Sequence, residues 1–342
     1  GGEGGGAPGE GGRLLALVRF GPDFTPTCLA HPQTYLNKVV VGSAEGGLRL
    51  VNVRSARTVH RFAALAPGGG AVTCVRPSPA LDVAAVGRSK GSIALLHLRE
   101  DRVLFTLTHE AGNPVHALTF RTDAGAGASP MLASADGRGN VHLWDLAKRR
   151  LAHTVAGAHV GPASGAAFLP GQPLLLTQGA RDNSLKAWVL DAPDGSARLL
   201  RAREGHAPPG PRAAGLRFYG DPGSDAALGL TLGEPGRAEG LQLLSAGGDG
   251  AFRALHAARD AQSRELSQGP LRKKARKHRE GRGPAALAAG EPEHDPLAGL
   301  RLSPVVAFAA AAAREGDWDN LVTCHAGDPT AYTWSWKRRA LG

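Results

Sequence analysis

One pattern recurs six times along the chain, and it constrains the fold more than any other feature of the sequence. Each copy has a short run of small or apolar residues, a turn rich in Gly, Asp or Ser, and an alternating segment ending in a large residue. The copies read KVVVGSAEGGLRLVNV, DVAAVGRSKGSIALLHL, PMLASADGRGNVHLWDL, LLLTQGARDNSLKAWVL, QLLSAGGDGAFRALHA and LVTCHAGDPTAYTWSW. The large residues that align are Val51, Leu96, Trp144, Trp188, Leu255 and Trp334. Because one such unit cannot bury its apolar surface alone, the copies are expected to stack on one another.

The spacing of the copies indicates the kind of stack. The first four aligned residues lie 45, 48 and 44 residues apart, which is the period of a four-stranded propeller blade. Each copy resembles a hairpin of two period-2 strands, and residues 71–79, 114–123 and 161–170 provide further strands between copies. The sequence therefore predicts an all-β fold of WD40-type β-propeller blades with six recognisable repeats. The longer gaps of 67 and 79 residues before the fifth and sixth copies require insertions.

These gaps lead to a predicted domain organisation. The predicted segments are a flexible Gly-rich leader (1–12), blades one to five (13–260), a basic and Gly/Ala/Pro-rich insertion (261–304) and an incomplete sixth blade (305–342). Within this scheme, residues 221–240 and 284–300 are predicted to be disordered surface loops. Residues 308–319 (FAAAAAREGDWD) are predicted to form a short helix, because alanine has the highest helix propensity.

Much of the positive charge is concentrated in one stretch, LRKKARKHREGRG at 271–283. It holds seven Lys and Arg against one Glu, which leaves +4 of the net +10 for the rest of the chain. This distribution favours one anionic contact zone over a uniformly basic surface. By itself the stretch is compatible with a nuclear import signal, an RNA-binding loop or a solvated loop. Its candidate RNA-binding or import residues are Arg272, Lys273, Lys274, Arg276, Lys277, Arg279 and Arg282.

Cysteine and apolar content exclude several classes of protein. Cys28, Cys74 and Cys324 are far apart in sequence and form no C-x-x-C motif, so neither a disulfide framework nor a zinc site is predicted and a reducing compartment fits best. The longest apolar run, at 305–313, is too short to cross a bilayer. No motif for a cofactor, a metal or a small-molecule substrate stands out.

The blades resemble those of the WD-repeat family, in which a His, a Ser, an Asp and a Trp form a hydrogen-bond network in each blade. The matching residues are His159, Asp182 and Trp188 in the fourth copy, His206, Ser245 and Asp249 in the fifth, Ser134 and Trp144 in the third, and Asp328 and Trp334 in the sixth. Departures are Gln178 at the Ser position, Leu255 at the Trp position and Arg138 at the Asp position. We interpret these residues as structural, because buried polar groups need partners and no convergent catalytic set is evident.

Three segments carry a more specific resemblance. Residues 27–53, 120–146 and 306–342 are similar to the U3 small-nucleolar-RNA-associated protein twenty-one family, above all in HPQTYLNK at 31–38 and FAAAAAREGDWD at 308–319. The resemblance covers the chain from about residue 14 onward. It implies a subunit of the UTP-B subcomplex of the small-subunit processome, built from two tandem seven-bladed propellers. The six copies would then be parts of those two propellers or belong to a truncated gene model.

Two segments outside the blade network are candidate contacts for a protein partner. Residues 31–38 are either a partner-binding loop or, more simply, a turn held by Pro32 with Tyr35 and Leu36 packed inward. Trp318 is either an exposed anchor for a partner or a cap over the hydrophobic edge of its blade.

The resemblance also implies a function. The expected role is a non-catalytic scaffold in ribosome biogenesis that supports U3 snoRNA-dependent processing toward 18S rRNA in the nucleolus. The expected partners are other UTP-B WD-repeat proteins, the U3 snoRNP and pre-ribosomal RNA, without membrane contact. The alternative is a generic WD-repeat adaptor, such as a substrate receptor of a ubiquitin ligase. The import and solvated-loop interpretations of the basic run remain open beside the RNA-binding one.

Overall fold

The described residues form six four-stranded antiparallel sheets that follow one another in chain order. The computed structural model describes residues 16–65, 68–109, 111–123, 130–169, 171–192, 195–204, 215–219, 242–256, 259–269 and 301–342. Within each sheet, neighbours in sequence are neighbours in space, as expected for propeller blades. The predicted all-β propeller fold is confirmed. The expected second propeller remains a prediction.

The first three blades have closely similar strands. Blade one contains β1 (Pro26–Ala30), β2 (Lys38–Ser43), β3 (Leu48–Asn52) and β4 (Arg57–Phe62). Blade two contains β5 (Val72–Pro77), β6 (Val83–Arg88), β7 (Ser92–His97) and β8 (Arg102–Thr108). Blade three contains β9 (Val115–Phe120), β10 (Met131–Asp136), β11 (Val141–Asp145) and β12 (Arg150–Val155).

The last three blades repeat the arrangement with shorter outer strands at the end. Blade four contains β13 (Ala163–Phe168), β14 (Leu174–Gly179), β15 (Ser184–Val189) and β16 (Arg198–Glu204). Blade five contains β17 (Gly215–Phe218), β18 (Gln242–Ala246), β19 (Phe252–His256) and β20 (Arg264–Glu265). Blade six contains β21 (Val305–Ala310), β22 (Leu321–His325), β23 (Ala331–Ser335) and β24 (Ala340–Leu341). Below, the turn between the second and third strands of a blade is its central turn, and that between the third and fourth is its outer turn.

The aligned large residues occupy one structural position. Trp144 pairs with Leu132, Trp188 with Leu175 and Trp334 with Leu321, each across the second and third strands of its blade. In the first four blades the pairing of the third and fourth strands also shifts register directly before this residue, so a bulge recurs there. The sequence alignment of the six copies is thus an alignment of their geometry.

The hydrophobic core lies between the blades. Trp144 packs against Ile93 and Leu95 of the preceding blade, and Trp188 packs in the same way on residues of blade three. The corresponding clusters between the remaining neighbours join blades one and two, four and five, and five and six. Each blade therefore buries the aligned residue against its predecessor, which is why single blades are not expected to fold alone.

Blade one has no preceding sheet in the described chain, and the segment before β1 covers this face. Phe24 is buried against Val41 and Val51, with Val18 and Phe20 packed at the margin. The guanidinium of Arg49 lies 4.1 Å from the centre of the Phe24 ring. Apolar burial and this cation–π contact hold the segment on the sheet.

The helix expected at 308–319 is not present. Residues up to Ala310 form β21, and only Ala312–Arg314 adopt a 3-10 turn. Val305 and Phe308 are buried against blade five, while the backbone of β21 pairs with β22 with a register shift between Val305 and Ala307. Strand pairing and burial therefore outweigh the helix propensity of alanine, which is a weak preference of a few tenths of a kcal/mol, roughly.

Two of the expected domain limits also differ from the structure. Blade six has four strands rather than an incomplete set. Residues 264–267 do not belong to an insertion, because β20 completes blade five and Ser267 forms a bridge to Ala340 of blade six. The short outer strands β20 and β24 could not be predicted from the sequence, because two-residue strands have no detectable hydrophobic period.

Candidate nucleic-acid interface and the hydrogen-bond networks of the blades

Blade four contains the most complete polar network, and its hydroxyl comes from an unexpected residue. The indole nitrogen of Trp188 donates to Thr177 Oγ1 at 2.9 Å, and Thr177 Oγ1 lies 2.7 Å from His159 Nε2. The other ring nitrogen of His159 lies 3.1 Å from Asp182 Oδ2. Gln178 was expected at the Ser position of this network, but the residue before it, Thr177, takes that role. The correct position follows from the pairing of Trp188 with Leu175, because the side chain two residues later points to the same face.

The acceptors of this network determine the protonation of the histidine. A carboxylate can only accept, so Nδ1 of His159 donates to Asp182 and Nε2 accepts the Thr177 hydroxyl proton. Burial lowers the pKa of His159, despite the Asp182 carboxylate beside it, and so favours the neutral ring. Burial would raise the pKa of Asp182, but donation from the backbone N–H groups of Ser184 and Val160 and the nearby His159 hold it below its usual value.

The same hydroxyl, histidine and carboxylate would form a catalytic triad in a different setting. Here Thr177 is fully buried and its oxygen already accepts the proton of Trp188. A nucleophile needs access to substrate and a free approach to its oxygen. The arrangement therefore joins the loop before β13, the central turn and β15, and it performs no evident chemistry.

Gly179 shows how closely this network is packed. A Cβ at this position would overlap the carboxylate of Asp182 and lie 2.6 Å from His159 Nδ1. The neighbouring Gln178 points to the other face of the strand, where its amide donates to Ser245 Oγ of blade five at 2.9 Å. Gln178 and Ser245, predicted as equivalent members of two separate networks, instead connect two blades.

Blade three retains the Trp–Ser bond but takes its carboxylate from another position. Trp144 Nε1 donates to Ser134 Oγ at 2.8 Å. Asp136 is buried and accepts from the side chains of Asn113 and Asn140 and from two backbone N–H groups of the central turn. Burial would raise the pKa of Asp136, but these bonds and His142 lower it well below the usual range. Arg138, at the position expected for Asp, is exposed to solvent.

Blade six builds the network with a histidine from its own second strand. Trp334 Nε1 donates to Thr323 Oγ1 at 2.8 Å, and this hydroxyl lies 2.9 Å from His325 Nε2. The Nδ1 atom of His325 lies 2.5 Å from the carbonyl oxygen of Ser303, which can only accept. Asp328 does not reach this histidine; it accepts from the Tyr332 hydroxyl and the Thr330 N–H instead.

Blade five departs most from the predicted set. His206 lies outside the described residues. Asp249 accepts the N–H of Ala251 and pairs with Arg253 at 3.3 Å. Leu255 fills the tryptophan position and is buried against blade four. Here apolar contact replaces the indole, as the sequence indicated.

The basic run at 271–283 lies outside the described residues, and the described residues on either side of it are Gly269 and Arg301. The side-chain amide of Gln268 donates to the carbonyl of Gly250 at 2.6 Å and its oxygen accepts the N–H of Leu302 at 2.9 Å. One side chain therefore holds the residues before and after the run against the central turn of blade five. Gln268 and Leu302 therefore lie at the edge of the blades that carries Asp182 and Asp249.

The loop at 31–38 is divided between core and surface. Tyr35 packs on the cluster between blades one and two, and burial together with the Asp82 carboxylate raises its pKa to about 12. Leu36, expected to pack inward, is 78% exposed. A shallow groove runs between residues 32–34 and 77–83. Trp318 is 55% exposed and does not cap the blade.

The described residues contain neither a cluster of metal ligands nor a membrane-spanning helix. No group of three or more His, Cys, Asp or Glu side chains could hold a metal ion within the described ranges. In that part of the chain, no helix is long and apolar enough to cross a membrane. All three cysteines are free thiols, and burial raises the pKa of Cys28 and Cys74.

Stacked four-stranded blades, with buried tryptophans donating to hydroxyls on the adjacent strand, define a WD-repeat β-propeller protein. The solved structures similar to the chain support this class. A structure of U3-55K aligns with a TM-score of 0.60 at 18% identity, covering 95% of this chain and 81% of that one. The crystal structure of RRP9 WD40 repeats aligns with a TM-score of 0.59 at 19% identity, covering 95% and 80%.

Within this class, the chain belongs to the WDR36/Utp21 family, whose first β-propeller matches residues 10–191. Its curated relatives include the U3 small nucleolar RNA-associated protein 21 homolog of Schizosaccharomyces pombe, 36% identical over 92% of this chain. Human WD repeat-containing protein 36 is 32% identical over 93%, and U3 small nucleolar RNA-associated protein 21 of Saccharomyces cerevisiae is 30% identical over 92%. The chain spans about 30% of the length of these relatives. The family expected from residues 31–38 and 308–319 is confirmed.

Proposed function

We propose that the chain is a propeller module of a non-catalytic scaffold in ribosome biogenesis. The observation that carries this proposal is membership of the WDR36/Utp21 family. Two of the relatives that the chain matches are named for association with U3 small nucleolar RNA. The scaffold would assemble with the U3 snoRNP and other UTP-B WD-repeat proteins in the nucleolus and support processing toward 18S rRNA. Two tandem seven-bladed propellers would provide its architecture.

The polar networks support a structural rather than a catalytic role for the hydroxyl, histidine and carboxylate residues of the blades. In blades three, four and six the hydroxyls that could act as nucleophiles are buried and bonded to tryptophan. Their buried position favours a rigid body with functional surfaces over an enzyme with a pocket. The three relatives carry U3 or WD-repeat names and give the ubiquitin-ligase alternative no specific support.

Association with pre-ribosomal particles tests the proposal directly. The tagged chain, expressed in a eukaryotic cell, should co-sediment with large particles that contain U3 snoRNA, and U3 snoRNA should be enriched on its purification. Recovery only as a free protein, or only with a ubiquitin-ligase scaffold, would contradict the proposal.

The basic run is the proposed RNA contact of this module. Changing Lys273, Lys274, Arg276 and Lys277 to alanine should leave folding intact and weaken RNA binding. Each lost phosphate contact should reduce the log–log salt slope by about 0.7 for single-stranded RNA. Filter binding across a salt series measures both quantities, and nuclear import of a fluorescent fusion tests the second proposed role of the run.

A matched control removes four exposed cations elsewhere. Changing Arg19, Lys90, Arg138 and Arg181 to alanine alters the net charge equally, and all four side chains are exposed. If both variants bind RNA equally well, the run makes no specific RNA contact. If nuclear import is also unchanged, the run is a solvated loop.

A further inference from the structure

A second basic surface lies along the outer strands, in the described part of the molecule. The fourth strand begins with an exposed arginine in each of the first five blades. These residues, named here the outer arginines, are Arg57, Arg102, Arg150, Arg198 and Arg264. In blades one to four this arginine pairs with the residue that follows the aligned large residue, so one guanidinium per blade recurs at the same register position. Arg264 of blade five instead pairs with Ala254, the residue before the aligned Leu255.

The outer turns before these strands add to the charge. In blades one to three, residues 53–57, 98–102 and 146–150 carry seven Arg or Lys and two carboxylates. The central turns of the same blades, at 43–47, 88–91 and 136–140, carry three basic and two acidic residues. In blades one to three the outer turns therefore carry more net positive charge than the central turns.

The acidic residues of the outer turn in blade two leave this charge largely exposed. Asp101 faces blade one, where its carboxylate lies 2.9 Å from His60 Nε2 and accepts the backbone N–H groups of Ala63 and Ala64. Glu100 pairs with Arg102 at 2.9 Å, with both side chains more than half exposed. Exposed ion pairs of this kind contribute little to the stability of the fold, and the arginine can exchange its carboxylate partner for another anion.

The backbone of these turns displays the arginines in one geometry. The residue before the outer arginine has a positive φ in three successive blades: 54° at Ala56, 48° at Asp101 and 52° at Arg149. Non-glycine residues rarely adopt this conformation, so a common turn is maintained three times. The turns also rest on the preceding blade, since Arg149 lies 5.1 Å from the centre of the Phe105 ring in β8.

We propose that the outer arginines form a track that binds the phosphate backbone of RNA. Guanidinium groups bind phosphate oxygens in a planar, bidentate manner, and contacts at regular intervals suit a repeating polyanion. Contacts to phosphate position a nucleic acid without reading its sequence. This inference rests on the proposed role in ribosome biogenesis and adds a rigid RNA surface to the proposed flexible one.

The test compares charge removal at the outer turns of blades one to three with charge removal at the central turns of blades two to four. Changing Arg57, Arg102 and Arg150 to glutamine removes three outer charges, and changing Lys90, Arg138 and Arg181 to glutamine removes three exposed charges from the central turns. The probe is a fluorescein-labelled mixed-sequence RNA of about thirty nucleotides, titrated with the full 342-residue chain. Unchanged circular dichroism and melting temperature establish that each variant is folded.

The outer variant should bind RNA at least fivefold more weakly, and its log–log salt slope should fall by about 2, or 0.7 per lost contact. The central-turn variant should change binding less than twofold. Equal losses in both variants, or no loss in the outer variant, would overturn the proposal. Preferential capture of poly-glutamate over RNA at equal charge would also overturn it in favour of an acidic protein partner.

The basic-run variant separates this inference from the proposed function. If the outer variant loses RNA binding and the run variant does not, the track is supported and the proposed contact through the run fails. If only the run variant loses binding, the track fails and the proposed function stands.

Discussion

Blades two and four have the same strand order, but the aligned large residue is held by a hydrogen-bond network in blade four and by apolar contacts in blade two. In blade four, Trp188 donates to Thr177, and the network continues to His159. In blade two, the equivalent positions are Leu96 and Val86, both fully buried. Both solutions satisfy the requirement that buried groups be either apolar or hydrogen-bonded. The polar network is therefore dispensable for forming a blade, and what it adds is a fixed position for the loop that carries His159.

The largest expected effect comes from removing the aligned residue itself. Trp188→Ala should lower the free energy of unfolding by about 3–5 kcal/mol, and Leu96→Ala by about 2–5 kcal/mol, because each leaves a cavity between blades. Urea denaturation followed by circular dichroism measures both. Trp188→Phe retains most of the volume and isolates the lost indole bond. A variant Trp188→Phe as stable as the parent would show that the bond contributes nothing.

Thr177→Val tests the network with little change in volume. Trp188 Nε1 and His159 Nε2 would both lose their buried partner, at about 1–3 kcal/mol each. The reciprocal change in blade two, Val86→Thr, should also destabilise, because its hydroxyl would be buried among apolar side chains. If Thr177→Val is neutral while Gln178→Val is costly, the assignment of the hydroxyl to Thr177 is incorrect.

Acid should weaken blade four more than blade two. The lowered pKa of Asp182 stabilises the fold above its unfolded pKa of 3.8, and this contribution is lost as the pH falls through the folded value. The lowered pKa of His159 acts in the same direction, because below pH 6.5 the histidine of the unfolded chain binds a proton that the buried ring does not, which favours unfolding. Asp182→Asn should therefore destabilise by about 1–2 kcal/mol at pH 7, with a smaller difference near pH 3. A difference that is constant with pH would contradict the ionised assignment.

Arg138→Asp should have the smallest effect. Restoring the residue typical of the family should change stability by no more than about 0.5 kcal/mol, since the position is exposed and Asp136 already accepts the N–H groups of this turn. Asp136→Ala is the contrasting variant and should be clearly destabilising. The melting temperatures of the two variants, measured side by side, test this difference in stability.

The blade fold and the family could be predicted from the sequence, but several contacts could not. The period of 45, 48 and 44 residues correctly places the aligned large side chains. It does not reveal whether Thr177 or Gln178 faces Trp188, because a one-residue change in register exchanges the two faces of a strand. The sequence also gave no indication that Gln178 would reach Ser245 of the next blade.

The number of described blades, their order and the large residue that each blade buries could all be predicted from the sequence. Those features depend on local periodicity and on the need to cover apolar side chains, which act over a few residues. Only the packed fold shows that residues 305–310 form a strand, that Leu36 remains exposed, and that an arginine occupies the same register position in blades one to four. These outcomes depend on partners brought together from distant parts of the chain, and no local pattern records which partner will be adjacent.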